Sequence, residues 1–575
     1  MILQTLSDYY NRKMASESGS LAPSGFEWKE IPFVFVLDET GTLVQIDDTR
    51  EGEGKKKRAR RFLVPQGVKR SSGVLANLLW DNPEYSLGIP LKSAPERVQK
   101  QHAAFRERLK SLQNQVEDAG LHSLVRFLSG FGPANLDRFP TEWEEIRTTG
   151  PFLGFRLAGD SDLINNRSDV RAAIAGNTDG ESSGNEVICL VSGKRDEVAV
   201  CHPAIKGVAG AQSSGGNVVS FNLSSGCSFG KEQGYNAPVG KSGAFAYTTA
   251  LNHLLNKDSK QKMLVGDMTM VFWAEKAHEL ESAVADFFGE PPKDDPDRNV
   301  RAIESLFKSP WIGADPTHDD QTRFFVLGLS PNAARISVRF WTMSTVGELA
   351  RHIKEHFNDL ELVRGPFDKP FLSIFRLLVN VASLNKTENI PPNLAGEMIR
   401  SVLDGRRYPS TLLQAAVRRI RADHTLSFPR VSLIKACLNR DARLFQKPKE
   451  ELHVSLDEAN ENVGYRLGRL FAVLEKIQGE ASPSLNATIR DRFYGAGSGT
   501  PVTVFPILMR LKNHHLGKLE NRGRVVFFEK LIGTIMSAIS EFPAHLVLPD
   551  QGRFAVGYYH QQQDFYRKAD PATQA

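Results

Sequence analysis

The spacing of apolar residues changes near residue 345, and this change limits the fold more than any other feature of the sequence. Before it, short β-branched and aromatic runs predict strands at 187–191, 218–221, 268–273, 324–329 and 336–341. After it, apolar residues recur every three or four positions, which is typical of amphipathic helices. We therefore predict an α+β fold: a mixed α/β N-terminal domain with antiparallel strands, followed by an all-α C-terminal helical bundle.

A chain of 575 residues is too long for one hydrophobic core. We predict an α+β domain at 1–345, a helical connecting region at 346–453 and a C-terminal helical bundle at 454–575. A short helix should open the chain, and the strands 31–37 and 42–46 should form a hairpin around the turn 38–41. Further helices are predicted at 93–130, 244–255, 346–360, 370–382, 393–403, 411–421, 431–438, 464–478, 500–513, 523–539 and 556–567.

Composition argues against export and against a metal site. No apolar run is long enough to span a bilayer, and the N-terminus lacks the apolar run of a signal peptide, so we expect a cytoplasmic protein without membrane contact. The four cysteines form no CxxC pair and should be reduced thiols: Cys189, Cys201, Cys227 and Cys437. We expect no cofactor and no bound metal.

Three patterns suggest catalysis at first sight. The segment 234–242 ends in Gly-Lys-Ser, but a phosphate-binding loop needs glycine at position 235, where Tyr235 stands. His318, Asp319 and Asp320 offer adjacent metal-ligand types in what should be an acidic loop. His514 and His515 lack the i, i+4 spacing that directs two imidazoles to one metal. We expect no catalytic residue; a metal-dependent nuclease centred on His318 to Asp320 is the alternative.

The strongest charge feature is a basic run between residues 51 and 70, interrupted by the apolar residues 62–64 and a proline. Its cations would neutralise the phosphates of a nucleic acid, and the small polar residues that follow would let the nucleic-acid backbone approach closely. A solvated charge run without a specific partner is the other interpretation. The candidate DNA-binding residues here are Lys55, Lys56, Lys57, Arg58, Arg60, Arg61, Lys69, Arg70, Ser71, Ser72 and Asn77.

A second polar segment covers residues 202–217 and holds four glycines. Glycine permits tight turns and close approach, and amide side chains suit base edges. A merely flexible loop is the alternative. The candidate residues of this segment and of the polar stretch after it are Lys206, Gln212, Ser213, Ser214, Asn217, Asn222, Lys231, Tyr235 and Asn236.

Several segments of the sequence resemble the large subunit of the type I-C CRISPR effector complex, Cascade. They occur in the same order as in that subunit and are spread over nearly the whole chain. They are MILQTLSDYY (1–10), VPQGVKRSSG (64–73), LWDN (79–82), HPAIKG (202–207), QSSG (212–215), YNAP (235–238), AFAYTTALN (244–252), VFWA (271–274), LGLSPNAARISVRFW (327–341) and GYRLGRLFAVLE (464–475).

The resemblance implies a non-catalytic subunit that recognises a short protospacer-adjacent motif (PAM) in double-stranded target DNA. It would help open the duplex, so that an R-loop forms with the guide RNA, and help recruit the helicase-nuclease. The implied partners are CRISPR RNA, target DNA, the backbone and guide-processing subunits and a small helical subunit. A purely architectural subunit is a further alternative.

The resemblance also implies that the C-terminal part is made separately as the small subunit, and no methionine stands at the junction, so we expect an alternative start at Val454. Cations in this part are candidates for strand contacts, although ordinary solubilising charge would look the same. They are Arg466, Arg469, Arg490, Arg492, Arg510 and Lys512.

Overall fold

The computed structural model describes residues 1–16, 21–52, 57–68, 70, 73–178, 186–292, 294–308, 321–483 and 485–566. These residues form two compact units. The first unit comprises Met1–Ala204 and Val219–His253, and the second comprises Ile205–Val218 and Leu254–Ala575. The chain is α+β, as predicted, with small sheets in its N-terminal part and helices throughout its C-terminal part. The domain boundaries predicted at 345 and 453 stay predictions.

The first unit is built around a three-stranded sheet. Its elements are α1 (Ile2–Ser16), β1 (Phe26–Glu30), β2 (Phe33–Leu37), β3 (Leu43–Asp48), β4 (Arg50–Glu51), β5 (Arg58–Ala59), β6 (Arg61–Pro65), α2 (Pro83–Ser86), α3 (Pro95–Gln113), α4 (Ala119–Gly130), α5 (Pro140–Thr149), β7 (Leu153–Leu157), α6 (Ser168–Thr178), β8 (Glu186–Ile188), β9 (Arg195–Glu197) and α7 (Lys241–Leu254). Strand β2 pairs antiparallel with β3 and parallel with β7. Every residue of β2 is buried because apolar residues cover both of its faces.

The predicted hairpin at the start of the chain is confirmed. The Asp38 carboxylate accepts hydrogen bonds from the backbone N–H groups of Thr40 at 2.9 Å and Thr42 at 2.8 Å, which closes the turn between β2 and β3. Gly41 has φ +88°, and a Cβ there would lie 2.8 Å from the backbone nitrogen of Phe127. The turn therefore needs glycine both for its backbone angle and for the close approach of α4.

The second unit joins an antiparallel sheet to a large helical core. Its elements are β10 (Lys262–Val265), β11 (Met268–Ala274), α8 (Leu280–Phe288), α9 (Arg298–Phe307), β12 (Arg323–Asn332), β13 (Arg335–Thr345), α10 (Val346–Leu360), α11 (Ile374–Val381), α12 (Pro392–Leu403), α13 (Ser410–Asp423), α14 (Phe428–Leu444), α15 (Val463–Ala481), α16 (Ile489–Gly497), α17 (Pro501–Leu516), α18 (Arg522–Met536) and α19 (Leu548–Tyr566). The strand order is β10-β11-β12-β13. One face of the sheet, including Phe272, Phe324 and Phe340, shares a hydrophobic core with the helices that follow. Within the described ranges, no helix combines the length and the apolar character that a bilayer span requires.

One strand prediction is wrong. Residues 218–221 form no strand, and the backbone here pairs only through a single bridge between Asn217 and Arg335. The β-branched pair at 218 and 219 favours a strand, but without a continuous partner it has no ladder to join. Helices α5, α6, α8, α9 and α16 were missed. The Gly-rich surroundings of α16 are typical of a loop.

Two buried imidazoles in the second unit stay neutral. Nδ1 of His356 lies 2.6 Å from the hydroxyl of Tyr408, and Nδ1 of His560 lies 2.9 Å from the hydroxyl of Tyr465. Burial lowers the pKa of His356 and of His560 to about 3 in each case, with a smaller effect of nearby cations. The folded chain therefore excludes protons that the unfolded chain would bind.

We expect acid to destabilise the second unit through these groups. Unfolded histidine has a pKa of about 6.5, so between about pH 6.5 and pH 5 the unfolded chain binds more protons and stability falls by about 2 kcal/mol for each imidazole. The urea midpoint measured across this range should show the loss. His560→Gln should reduce the pH dependence of the free energy of unfolding by about 1.4 kcal/mol per pH unit. His545 is exposed, so His545→Gln should leave this pH dependence unchanged. Equal slopes in both variants would contradict the assignment.

Candidate nucleic-acid interface

The basic run of the first unit lies on paired strands. Strand β5 pairs with β4, and β6 pairs with β1 from Phe26↔Pro65 to Glu30↔Arg61. Phe62, Leu63 and Val64 are buried and anchor β6 in the core. The side chains before them face solvent: Lys57, Arg58, Arg60 and Arg61. We call these four residues the basic hairpin; Lys55 and Lys56 lie outside the described residues.

The loop after β6 is held by the residues that the sequence offered as ligands. The guanidinium of Arg70 pairs with the buried carboxylate of Asp81, donates to the carbonyl of Leu75 at 2.7 Å and stacks 3.9 Å from the ring of Tyr85. Asn77 is buried, and its side-chain oxygen accepts from the N–H of Val68 at 3.0 Å. Arg70 and Asn77 thus both bond within the loop, Arg70 from an exposed position and Asn77 from a buried one, and their contacts with DNA stay predictions. Lys69, Ser71 and Ser72 lie outside the described residues.

In the second unit, residues 205–218 form a loop with a fixed base, which we call the polar loop. Ile205 and Gly216 exchange two backbone hydrogen bonds of 2.8 and 2.9 Å, and the carbonyl of Asn217 accepts from Ile336 of β13 at 3.0 Å. The ammonium of Lys262 donates to the carbonyls of Gly207 and Leu255 at 2.8 and 2.9 Å. Burial lowers the pKa of Lys262.

The tip of the polar loop is exposed and polar. A backbone hydrogen bond of 2.9 Å from Gly215 to Gln212 closes the tip, where Gly215 has φ +89°. Lys206, Gln212, Ser213 and Ser214 face solvent, while Asn217 is half-buried at the base. The loop therefore presents an amide and two hydroxyls from a backbone that is already ordered, which lowers the entropy lost on binding.

The remaining candidates of the first unit lie at 222–236. Asn222 and Lys231 are exposed, and Tyr235 and Asn236 are half-buried. A concavity of about 400 Å³ is lined by Val187, Gly230, Lys231, Glu232, Tyr235 and Pro238. Lysine and tyrosine thus meet at one surface depression.

Two of the C-terminal candidates must be corrected. Arg466 and Arg469 are buried in α15, Arg469 completely. Arg466 donates to the backbone carbonyls of Asn460 and Ile535, and Arg469 donates to the side-chain oxygen of Gln561 at 3.1 Å. Neither guanidinium reaches a surface from which it could contact a strand; both tie α15 to its neighbours.

Of the other four C-terminal candidates, two lie beside carboxylates and two are exposed. Arg490 lies 3.7 Å from the carboxylate of Glu475, and Lys512 lies 3.0 Å from that of Glu529. Arg492 and Arg510 are exposed on α16 and α17. These last two keep the accessibility that a strand contact needs.

Comparison with known protein families identifies the family of this chain. A family model described as CRISPR-associated protein (Cas_Csd1) matches residues 6–566. The chain belongs to this family. A search of curated proteins finds no match. The CRISPR association predicted from the sequence is thereby confirmed.

For this Cas_Csd1 protein, the phosphate-loop reading of 234–242 fails structurally as well. The carboxylate of Asp196 accepts from the N–H of Ser242 at 3.0 Å, at the start of α7, and Lys241 pairs with Glu197 at 2.8 Å. A carboxylate thus occupies the helix N-terminus that a phosphate would need.

Among the described residues of the Cas_Csd1 protein, no three His, Cys, Asp or Glu side chains cluster as metal ligands would. His318, Asp319 and Asp320 lie outside those residues. Sequence reasoning missed Phe229, an exposed ring that directly precedes two lining residues of the concavity; its one signal was an aromatic residue between serine and glycine in a polar stretch.

Proposed function

We propose that the chain is the large subunit of a type I-C CRISPR surveillance complex and is not itself an enzyme. It recognises the PAM in duplex DNA and helps open that duplex, so that the guide RNA can pair with the target strand. The observation that carries the proposal is a solvent-facing row of cations, Lys57 to Arg61, on core-anchored strands of a CRISPR-associated protein.

The two surfaces have different tasks. The basic hairpin contacts phosphates, because four exposed cations within five residues release counterions without reading sequence. The polar loop supplies base contacts, because the Gln212 amide can both donate and accept while serine hydroxyls can bond either base-pair type. Its fixed base supports this role, since discrimination between bases requires donors and acceptors at defined positions.

The complex supplies the remaining functions. Family membership supports assembly with other CRISPR-associated proteins. In this proposal the partners are CRISPR RNA, the backbone and guide-processing subunits, a small helical subunit and the helicase-nuclease that cuts. Separate production of the small subunit from Val454 stays a prediction.

Replacing Lys57, Arg58, Arg60 and Arg61 together by alanine should weaken binding of the guide-bearing complex to any duplex. We expect the affinity to fall about 100-fold near physiological salt, and the slope of log affinity against log salt to decrease by about 3 to 4, or about 0.9 for each lost phosphate contact. Fluorescence anisotropy with motif-bearing and scrambled duplexes over a salt series measures both quantities. The preference for the motif should remain.

A matched control removes four other exposed cations by alanine substitution: Lys110, Arg147, Lys386 and Lys449. This variant should bind like the parent chain. If both variants show the same affinity and salt slope as the parent, the basic hairpin makes no phosphate contacts. If the parent complex binds motif-bearing and scrambled duplexes equally, PAM recognition is wrong.

A further inference from the structure

One aromatic ring of the first unit contributes nothing to the fold. Phe229 is fully exposed, so its ring buries no apolar surface and gains no hydrophobic stabilisation. Its backbone has φ +52°, in the left-handed region that non-glycine residues rarely adopt, and Gly230 follows with φ +68°. A strained backbone that presents a bare ring indicates a function outside the fold.

The tip that carries this ring is held in place by Asn236. The side-chain oxygen of Asn236 accepts from the N–H of Ser228 at 2.9 Å, and its amide donates to the carbonyls of Lys231 and Gln233 at 3.2 and 3.0 Å. A backbone hydrogen bond of 3.0 Å also joins Lys231 to Ser228. Because both sides of the tip are tied to one side chain, Phe229 is presented by an ordered turn.

The turn that carries Phe229 leads directly into the wall of a surface depression. Gly230 and Lys231, which directly follow Phe229, line the concavity of about 400 Å³ together with Tyr235 and Pro238. The ring of Tyr235 suits a base, the exposed ammonium of Lys231 suits a phosphate, and the carboxylate of Glu232, which also lines the depression, can accept from an exocyclic amine.

We propose that Phe229 stacks on a base that has left the target duplex, while Lys231 contacts the phosphate of that nucleotide. A base in an intact duplex has both faces covered by its neighbours, so an aromatic ring can stack on it only at an unpaired or opened step. This inference rests on the proposed function and names the residue that holds the duplex open. A protein partner is disfavoured because the depression, of about 400 Å³, combines the ammonium of Lys231 with the aromatic ring of Tyr235.

The test uses the guide-bearing complex and a motif-bearing duplex with 2-aminopurine beside the motif. Phe229→Ala should slow the fluorescence rise that reports opening by about 10-fold, with the initial affinity and the salt slope unchanged, because a lost stack removes no phosphate contact. Phe229→Trp should restore opening, and Phe229→Leu, which is apolar but not aromatic, should not. On a duplex with unpaired bases already built in beside the motif, Phe229→Ala should lose the quenching that stacking causes.

The control is Phe367→Ala in the second unit, because that ring is 98% exposed as well and should leave opening unchanged. Wild-type opening by Phe229→Ala, with binding still lost in the basic-hairpin variant, would overturn the stacking role and leave the proposed function intact. Normal opening with reduced assembly of the complex would assign Phe229 to a protein contact and also overturn it. If the parent complex shows no preference for the motif, the proposed function itself fails.

Discussion

Replacing Gly468 by alanine is expected to lower the free energy of unfolding of the helical part by about 3 kcal/mol, and replacing Gly557 should cost about the same. A Cβ at Gly468 would overlap the carbonyl oxygen of Phe554, and one at Gly557 would overlap the carbonyl oxygen of Tyr465. Both obstacles are backbone atoms, so no side chain can rotate away. Helices α15 and α19 must separate along their shared face.

The matched control is Gly479→Ala near the end of α15, where a Cβ meets no atom within 4 Å. It should stabilise the helix by about 0.5 to 1 kcal/mol, because alanine favours a helix interior more than glycine does. Urea unfolding followed by circular dichroism gives the sign of each change, and hydrogen exchange locates it in α15 and α19. If Gly468→Ala proved as stable as Gly479→Ala, the backbone contact between α15 and α19 at Gly468 would be contradicted.

The second large effect is expected at a buried carboxylate. Asp359 and Arg440 are each 2% exposed, and the Arg440 Nε donates to the Asp359 carboxylate at 2.8 Å. Arg443 pairs with the same carboxylate, and the ring of Tyr408 lies 5.0 Å from the Arg440 guanidinium. Asp359→Ala should destabilise the second unit by about 4 kcal/mol, because it leaves a buried guanidinium without its counter-charge.

The exposed pair of Glu144 and Arg147 provides the comparison. Their side chains are 63% and 58% exposed, so Glu144→Ala should change stability by less than about 0.5 kcal/mol. Replacing both buried partners, as in Asp359→Leu with Arg440→Met, should recover most of the loss in Asp359→Ala, since apolar side chains can fill such a site. Urea midpoints give all three values. A double variant as unstable as Asp359→Ala would show that packing, not uncompensated charge, causes the loss.

Much of the fold could be predicted from local pattern. Helix α10 was predicted to the residue from the spacing of its apolar residues. In the structure a capping box fixes its start: Thr345 accepts from the N–H of Glu348, and Glu348 accepts from the N–H of Thr345. Strands β12 and β13 were predicted at 324–329 and 336–341 because β-branched and aromatic runs occur there, and the two strands pair antiparallel. Apolar spacing and strand-forming runs involve residues that are close in sequence, so a single sequence is enough to predict these elements.

The candidate site could be predicted less well, because burial of charge depends on distant packing. Arg466 and Arg469 look like surface cations, yet α15 is covered on nearly every side, so both guanidiniums bond inside the protein. Arg70 pairs with Asp81, which the sequence gave no reason to place beside it. The opposite error concerns Phe229: an aromatic residue suggests a core position, and its exposure follows from a turn that Asn236 closes eight residues after Ser228.

The polar loop also has a consequence for biosynthesis. Its base is completed by the bond from Ile336 to Asn217, and those two residues are about 120 positions apart in the chain. At a translation rate of about 5 to 20 residues per second, roughly 10 s pass between synthesis of the loop and arrival of the strand that anchors it. During that interval the nascent polypeptide carries Gln212 on a loop that lacks its hydrogen bond to β13. A product truncated before residue 335 would therefore never form the bond that completes the base of the polar loop.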